Sequence, residues 1–167
     1  DAFAGHLKPE ERNERSLLYH NLGGNRFKEV SAAMELNDVS WTGDASPIDP
    51  NGDSWPDLYV TNMQGPDEFY KNVNGKRFER RTAERFPKTS WGAMGIKSLD
   101  FNNDGLMDLF VTDMHSDMSE AQGPNQEKLK SMMRWPESMV DEKAASVFGN
   151  TFFQCRADGA FDEISDR

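Results

Sequence analysis

Two short segments of the chain place carboxylate and amide side chains at the same spacing. Both have the pattern Asp-x-Asn-x-Asp-x-x-x-Asp, and both lead directly into an apolar, β-branched stretch. Oxygen atoms at positions 1, 3 and 5 of a tight loop can converge on one point, where position 7 adds a backbone carbonyl and position 9 a carboxylate. Such a cage of hard ligands suits Ca²⁺, which takes about 6–8 oxygens, better than Mg²⁺, which demands stricter octahedral geometry. The predicted ligands of the two Ca²⁺ sites are Asp49, Asn51, Asp53, Trp55 (by its carbonyl) and Asp57, and Asp100, Asn102, Asp104, Leu106 (by its carbonyl) and Asp108.

The charge of the chain favours cation binding. Its 167 residues include 19 Lys and Arg and 29 Asp and Glu, which give a net charge of −10. Three carboxylates crowded into each loop would repel one another without a cation. Transition metals are not expected because neither loop contains His or Cys. The acidic balance also argues against nucleic acid and anionic membranes as partners, since both attract basic surfaces.

Two other structures could explain the composition of the loops. Solvated Asx turns are one alternative, because Asp, Asn and Gly are common in any turn; the recurrence of the loop at the same place in a repeat favours metal instead. An EF-hand is the other, but it needs Glu at position 12 and flanking helices. Val60 and Val111 occupy that position, each inside a predicted strand.

The loops belong to an internal repeat of 51 residues. Phe27 and Phe78 are separated by 51 residues, and so are Asp49 and Asp100. The segments 18–29 and 69–80 match residue for residue in their Tyr, Asn and Phe positions, and 152–164 matches more loosely. The third copy arrives 32 residues late, so an insertion is expected before it.

The repeat predicts an all-β fold. A period of about 40–50 residues with several strands per unit is typical of β-propeller blades. Residues 1–167 are therefore interpreted as a segment of one β-propeller, with about three blade units. Residues 57–62 and 108–113 are expected to be central strands because they are apolar and β-branched.

Residues 115–148 are expected to form a helical insertion. Leu129, Met132 and Met133 follow a helical stripe as far as Pro136. Met-rich faces adapt to partners, so the insertion is either a docking element or a helical cap over the edge of the propeller.

No catalytic residues are predicted. His6, His20 and His115 lack the spacing of a zinc protease, and neither a nucleophile elbow nor a phosphate loop is present. Cys155 is the single cysteine, which excludes an internal disulfide, and it is expected to pack as a small apolar residue. No apolar run is long enough for a membrane-spanning helix.

Taken together, the loops and the Leu-Tyr-x-Asn…Gly…Phe segments resemble FG-GAP/VCBS repeats. These occur in integrin α-subunit propellers and in the cartilage acidic protein-like proteins that pair them with an ASPIC/UnbV domain. The resemblance implies a propeller, often of seven blades, with Ca²⁺ in its blade hairpins. It also implies an extracellular or periplasmic location and a role in protein binding, as in cell adhesion. Ser54 departs from the usual glycine at position 6 of the loop.

The expected function is that of an extracytoplasmic protein-binding or scaffolding module in which Ca²⁺ is structural. A protein partner is expected. One alternative is that the segment belongs to a hydrolase or lyase whose catalytic residues lie elsewhere in the protein. The other is an accessory subunit of a larger extracytoplasmic complex.

Overall fold

The structure, a computed structural model, describes residues 15–63, 65–114, 146–147 and 149–165. Regular structure in these ranges is almost entirely β, as the sequence predicts. A single short helix, α1 (Thr82–Arg85), is the exception there. The strands are β1 (Tyr19–Gly23), β2 (Arg26–Glu29), β3 (Thr42–Ile48), β4 (Asp57–Asn62), β5 (Glu68–Val73), β6 (Arg77–Arg80), β7 (Thr89–Ser90), β8 (Ala93–Leu99), β9 (Asp108–Asp113), β10 (Ser146–Val147), β11 (Thr151–Cys155) and β12 (Phe161–Glu163).

Eight of these strands form two antiparallel sheets of the same design. The first sheet has the order β3-β4-β5-β6, and the second has the order β8-β9-β11-β12. In each sheet an acidic loop joins the first two strands, and a hairpin supplies the other two. The pairs next to the loops are equivalent, Ile48 with Asp57 and Leu99 with Asp108. The 51-residue repeat in the sequence thus corresponds to a four-stranded sheet that occurs twice in the structure.

The three copies of the Phe-containing segment all form hairpins, namely β1–β2, β5–β6 and β11–β12. Only two acidic loops are present in the chain to extend these hairpins to four strands. In the described residues the hairpins belong to two four-stranded sheets and one separate two-stranded sheet, and the expected number of about three blade units stays a prediction. These residues do not form a closed ring.

The main core lies between the two sheets. Phe86, which follows α1, stacks on Phe161 of the second sheet with ring centroids 4.5 Å apart and nearly parallel planes. The ring of Phe86 also makes an edge contact with the ring of Tyr59 in the first sheet, with the two ring centroids 4.9 Å apart. Burial of these large rings removes apolar area from water and holds the sheets together. The buried residues of this core are Ile48, Tyr59, Phe69, Phe86, Ala93, Leu109, Val111, Phe153, Cys155 and Phe161.

A second core covers the opposite face of the first sheet. Tyr70 and Phe78 pack there with Val60 and Leu36, and Leu18 lies against them partly buried. This packing places the segment that precedes β3 against the first sheet.

The strands β3 and β8 approach each other closely at Gly43. A Cβ atom at this position would lie 2.8 Å from the carbonyl oxygen of Ala93, well inside van der Waals contact. Glycine is therefore required at this position for steric reasons, since its backbone angles are not of the left-handed kind. Ala93 is itself fully buried in the main core.

The predicted helical insertion, residues 115–148, lies outside the described residues except for Ser146 and Val147. These two residues form β10, which pairs in parallel with Thr89 and Ser90 of β7 rather than continuing a helix. No helix in the described part of the chain is long and apolar enough to cross a membrane.

Candidate functional site

The first acidic loop, residues 49–57, is organised by side-chain oxygens that accept hydrogen bonds from its own backbone. The carboxylate of Asp49 accepts from the N–H groups of Asp53 at 3.1 Å and Ser54 at 2.9 Å. Asn51 accepts from the Asp53 N–H at 3.1 Å and donates its amide to the Asp53 carboxylate at 2.9 Å. Asp53 also accepts from the Trp55 N–H at 2.8 Å. The first three predicted ligands therefore share one small loop interior.

The second acidic loop, residues 100–108, repeats this network bond for bond. Asp100 accepts from the N–H groups of Asp104 at 3.1 Å and Gly105 at 2.9 Å. Asn102 accepts from the Asp104 N–H at 3.1 Å and donates to the Asp104 carboxylate at 2.8 Å. Asp104 accepts from the Leu106 N–H at 2.8 Å. The predicted equivalence of the two loops thus extends to individual atoms.

Two positions in each loop have left-handed backbone angles. Position 4 is Gly52 with φ of 67° or Asn103 with φ of 59°, and position 6 is Ser54 with φ of 66° or Gly105 with φ of 86°. Gly and, to a lesser degree, Asn adopt this region readily, whereas other residues are strained there. Ser54 therefore holds the loop conformation that Gly105 holds, at a cost of about 1–2 kcal/mol in backbone energy.

The ninth residue of each loop is buried where the next strand begins. Asp57 is 1% exposed and accepts the backbone N–H of Asn72 at 2.7 Å. Asp108 is fully buried and accepts the N–H of Cys155 at 2.8 Å. Each carboxylate thus connects its loop to the neighbouring hairpin of the same sheet.

The electrostatic environment of Asp57 disfavours its charged form. Burial raises the pKa of the Asp57 carboxyl to about 6, and the negative charges of Asp53 and Asp49 add to the increase. The hydrogen bond from Asn72 and the charge of Lys71 act in the opposite direction. A buried carboxylate beside two like charges is the environment that a bound cation would stabilise.

The residue at position 7 packs against a different part of the protein in each loop. The indole of Trp55 lies over the turn at Gly75, where a Cβ atom would come within 2.4 Å of the ring. Leu106 is instead partly buried against the main core. Both packing contacts hold the loop backbone in place next to the carbonyl group that the sequence predicts to be a ligand.

The predicted ligand carboxylates of the two loops are not grouped around common points in the structure. In the described ranges no three His, Cys, Asp or Glu side chains are grouped in a way that could hold a metal ion. The oxygens of Asp49, Asn51 and Asp53 face backbone N–H groups, as do their counterparts in the second loop. The atoms predicted to bind the metal are all oxygens, which are the ligands that Ca²⁺ prefers.

Sequence reasoning missed the buried carboxyl group of Asp67, which lies outside the acidic loops. Its oxygens accept hydrogen bonds from the Tyr59 hydroxyl at 2.9 Å and the Asn62 N–H at 2.8 Å. Burial raises its pKa to about 8, although these hydrogen bonds act in the opposite direction. Its sequence context, Gly-Pro-Asp, indicates a turn and gives no sign of burial.

Cys155 is buried in the main core, as expected from its sequence. Burial raises the pKa of its thiol to about 11, with a further increase from the negative charge of Asp108. A thiol held in its neutral form is a poor nucleophile.

Comparison with known proteins places these loops in a family. No curated protein gives a significant match to the chain. Residues 49–111 match the model of the FG-GAP-like repeat, from the first ligand position of the first loop to the middle of β9. The match includes both acidic loops, the whole of β4 and the first four residues of β9. This match agrees with the resemblance to FG-GAP repeats seen in the sequence.

Proposed function

We propose that each acidic loop binds one Ca²⁺ ion and that the ions stabilise the sheets. The residues that would hold the first ion are Asp49, Asn51, Asp53, Asp57 and the carbonyl of Trp55. Those for the second ion are Asp100, Asn102, Asp104, Asp108 and the carbonyl of Leu106. The observation that carries the proposal is the identical hydrogen-bond network of the two loops.

The charge of each loop supports this proposal. Three carboxylates lie within nine residues of each loop. The pKa of Asp57 is raised chiefly by burial, and the negative charges of Asp53 and Asp49 raise it further. A divalent cation offsets the repulsion, which couples its binding to folding. Because Asp57 and Asp108 are bonded to neighbouring hairpins, a bound ion would also connect the loop to the rest of its sheet.

The protein would then act as a Ca²⁺-stabilised binding or scaffolding module of propeller type outside the cytoplasm. FG-GAP-like repeats are typical of extracellular proteins that bind other proteins. Catalysis is not part of this proposal. The carboxyl groups of Asp57 and Asp67, whose pKa values are raised, are buried and accept hydrogen bonds from the Asn72 N–H and the Tyr59 hydroxyl, and the Cys155 thiol is buried.

Terbium luminescence tests the metal sites directly, because Tb³⁺ replaces Ca²⁺ and is excited by a nearby indole. Trp55 is part of the first loop, whereas Leu106 takes its place in the second. Excitation of tryptophan should therefore give Tb³⁺ emission that Ca²⁺ displaces and that Trp55→Phe greatly reduces. Asp53→Asn should abolish the signal, and the matched variant Asp104→Asn should retain it. Absence of sensitised emission from the folded protein would refute the proposal for the first site.

A further inference from the structure

The first acidic loop contains one of the two Asn-Gly pairs of the chain, Asn51-Gly52, and the other pair is Asn74-Gly75. The side-chain carbonyl of an asparagine can be attacked by the backbone nitrogen of the next residue, which closes a cyclic imide. The attack is least hindered when that residue is glycine, because glycine has no Cβ atom beside the attacking nitrogen. The two pairs have the same intrinsic chemistry, so their surroundings decide which of them reacts.

The backbone nitrogen of Gly52 is accessible. Asn51 and Gly52 are both exposed, and a Cβ atom built on Gly52 would meet no other atom within 4 Å. In the part of the chain that the structure describes, the Gly52 N–H makes no hydrogen bond of normal length and angle. This nitrogen can therefore attack without first breaking such a bond.

The side chain of Asn51 is held in a position that favours the attack. Its carbonyl oxygen accepts the backbone N–H of Asp53 at 3.1 Å. This Asx turn closes a ring that includes the Gly52 nitrogen and keeps the side-chain carbonyl near it. The amide nitrogen of Asn51 donates to the Asp53 carboxylate at 2.9 Å, which fixes the plane of the amide. The Asp53 N–H also stabilises the negative charge that develops on the carbonyl oxygen during the attack.

The second pair, Asn74-Gly75, lies in the turn between β5 and β6, where the nitrogen is engaged. The Gly75 N–H donates to the side-chain oxygen of Asn72 at 2.8 Å. The indole of Trp55 lies over the same glycine, since a Cβ atom there would come within 2.4 Å of the ring. Attack by this nitrogen therefore requires the loss of the hydrogen bond and a shift of the indole.

The second acidic loop supplies a matched comparison. Asn102 makes the same two side-chain hydrogen bonds in this loop that Asn51 makes in the first. The next residue is Asn103, whose φ of 59° is close to the 67° of Gly52. At this position the two loops thus share a backbone conformation and differ in the Cβ atom that hinders the nitrogen.

We propose that Asn51 is a site of spontaneous deamidation in the folded protein. The Gly52 nitrogen forms a bond to the side-chain carbonyl carbon of Asn51 and gives its proton to solvent. The bond from this carbon to the amide nitrogen breaks, and the nitrogen takes a proton from solvent and leaves as ammonia. Water then opens the cyclic imide. Cleavage on the side-chain side leaves aspartate at position 51, and cleavage on the main-chain side leaves isoaspartate, in which the backbone continues through the former side chain.

The reaction changes the charge of the loop. Aspartate at position 51 replaces the amide that donates to Asp53 with a fourth carboxylate, so that the loop loses this hydrogen bond and gains one negative charge. The converted loop has a greater need of a cation than the original one. This consequence rests on the proposed Ca²⁺ sites, whereas the reaction itself does not.

The test follows the whole 167-residue chain at slightly alkaline pH by peptide mapping with mass spectrometry. A chelator is present throughout, so that the result does not depend on metal binding. In the folded protein Asn51 should convert to aspartate and isoaspartate with time. Asn74 should convert about tenfold more slowly, because the Gly75 N–H must first lose its hydrogen bond. In urea, where the fold no longer protects Gly75, the two Asn-Gly pairs should convert at similar rates.

Exchange of one residue between the loops isolates the role of Gly52. Gly52→Asn, which copies the second loop, should largely stop the conversion of Asn51. Asn103→Gly, which copies the first loop, should make Asn102 reactive. Both replacements use residue types that tolerate positive φ, so the loops should keep their conformation. Near-ultraviolet circular dichroism of both variants checks that the fold is intact.

Four results would overturn the proposal. The first is the absence of conversion at Asn51 in the folded chain, and the second is equal conversion of Asn51 and Asn74 there. The third is an unchanged rate at Asn51 in Gly52→Asn. The fourth is a preference for Asn51 that persists in urea, which would show that the flanking sequence sets the selectivity. Failure of the Ca²⁺ proposal would leave all four measurements unchanged.

Discussion

The Asp108 carboxylate accepts a hydrogen bond from the backbone N–H of Cys155, which lies 47 residues later in the chain, at 2.8 Å. The same bond joins Asp57 to Asn72 in the first sheet. Because the donor is a backbone group, the change from Asn to Cys does not interrupt the contact. Each acidic loop is thereby tied to the hairpin that completes its sheet, even where residues 115–148 intervene.

Ser54→Gly should stabilise the protein. Ser54 has φ of 66°, a region in which residues with a Cβ are strained and glycine is not. Relief of this strain, less the entropy that glycine adds to the unfolded chain, should raise the free energy of unfolding by about 0.5–1 kcal/mol. Urea denaturation in the presence of Ca²⁺ measures this change.

The reverse substitution at the equivalent site, Gly105→Ser, provides the matched control. A Cβ at Gly105 meets no atom within 4 Å, so only its φ of 86° opposes the change. It should lower the free energy of unfolding by about 1 kcal/mol. Equal stability of both variants with the wild type would mean that position 6 carries no backbone strain.

Gly43→Ala should weaken the contact between the two sheets. The new methyl group would lie 2.8 Å from the Ala93 carbonyl oxygen, which belongs to the backbone and cannot rotate away. We expect a loss of about 1–3 kcal/mol in the free energy of unfolding, as for other overpacked positions. Thermal denaturation followed by circular dichroism would detect it.

Gly95→Ala is the control for this substitution. Its new methyl group would meet the Thr112 hydroxyl at 3.2 Å, and that side chain can adjust. A smaller loss is expected. A larger loss from Gly95→Ala than from Gly43→Ala would contradict the packing described for β3 and β8.

Asp67 should make the protein less stable as the pH rises from about 4 to about 8. In the unfolded chain its carboxyl group loses its proton near pH 4, whereas in the folded protein the raised pKa retains the proton until about pH 8. The folded state therefore binds more protons across this range, and stability falls by up to about 1.4 kcal/mol per pH unit.

Asp67→Asn should remove this contribution. The difference in the free energy of unfolding between the wild type and the variant should change steadily from pH 4 to pH 8. It should be constant below and above these pH values. Asp158→Asn serves as the control, because Asp158 is exposed and its pKa is lowered, chiefly by the Ala160 N–H. A constant difference between the wild type and Asp67→Asn from pH 4 to pH 8 would rule out the neutral form of Asp67.

The sequence predicted the central strands well because their residues are apolar and β-branched. Residues 57–62 and 108–113 form β4 and β9 with the expected bounds. It also predicted that Val60 and Val111 lie in strands, which excludes an EF-hand. These assignments depend only on local residue types.

The remaining features depend on contacts distant in sequence. The strand β3 contains Gly43, Asp44 and Pro47, which are all unfavourable for strands, and it forms because β4 pairs with it. The role of Cys155 was missed because a backbone N–H leaves no trace in residue type. Pairing of β10 with β7 was unforeseen, since residues 146–147 fall inside a predicted helical insertion.

The most direct test of the Ca²⁺ sites is the melting temperature with and without a chelator. A single site filled at about one hundred times its Kd stabilises the folded state by about 2.7 kcal/mol, or roughly 5–10 °C for a chain of this size. Ca²⁺ should therefore raise the melting temperature, and the double variant Asp53→Asn, Asp104→Asn should abolish the difference. The variant keeps an oxygen at each position for the Trp55 and Leu106 N–H groups, so its loops can still form. A melting temperature of the wild type that is the same in Ca²⁺ and in chelator would contradict the account.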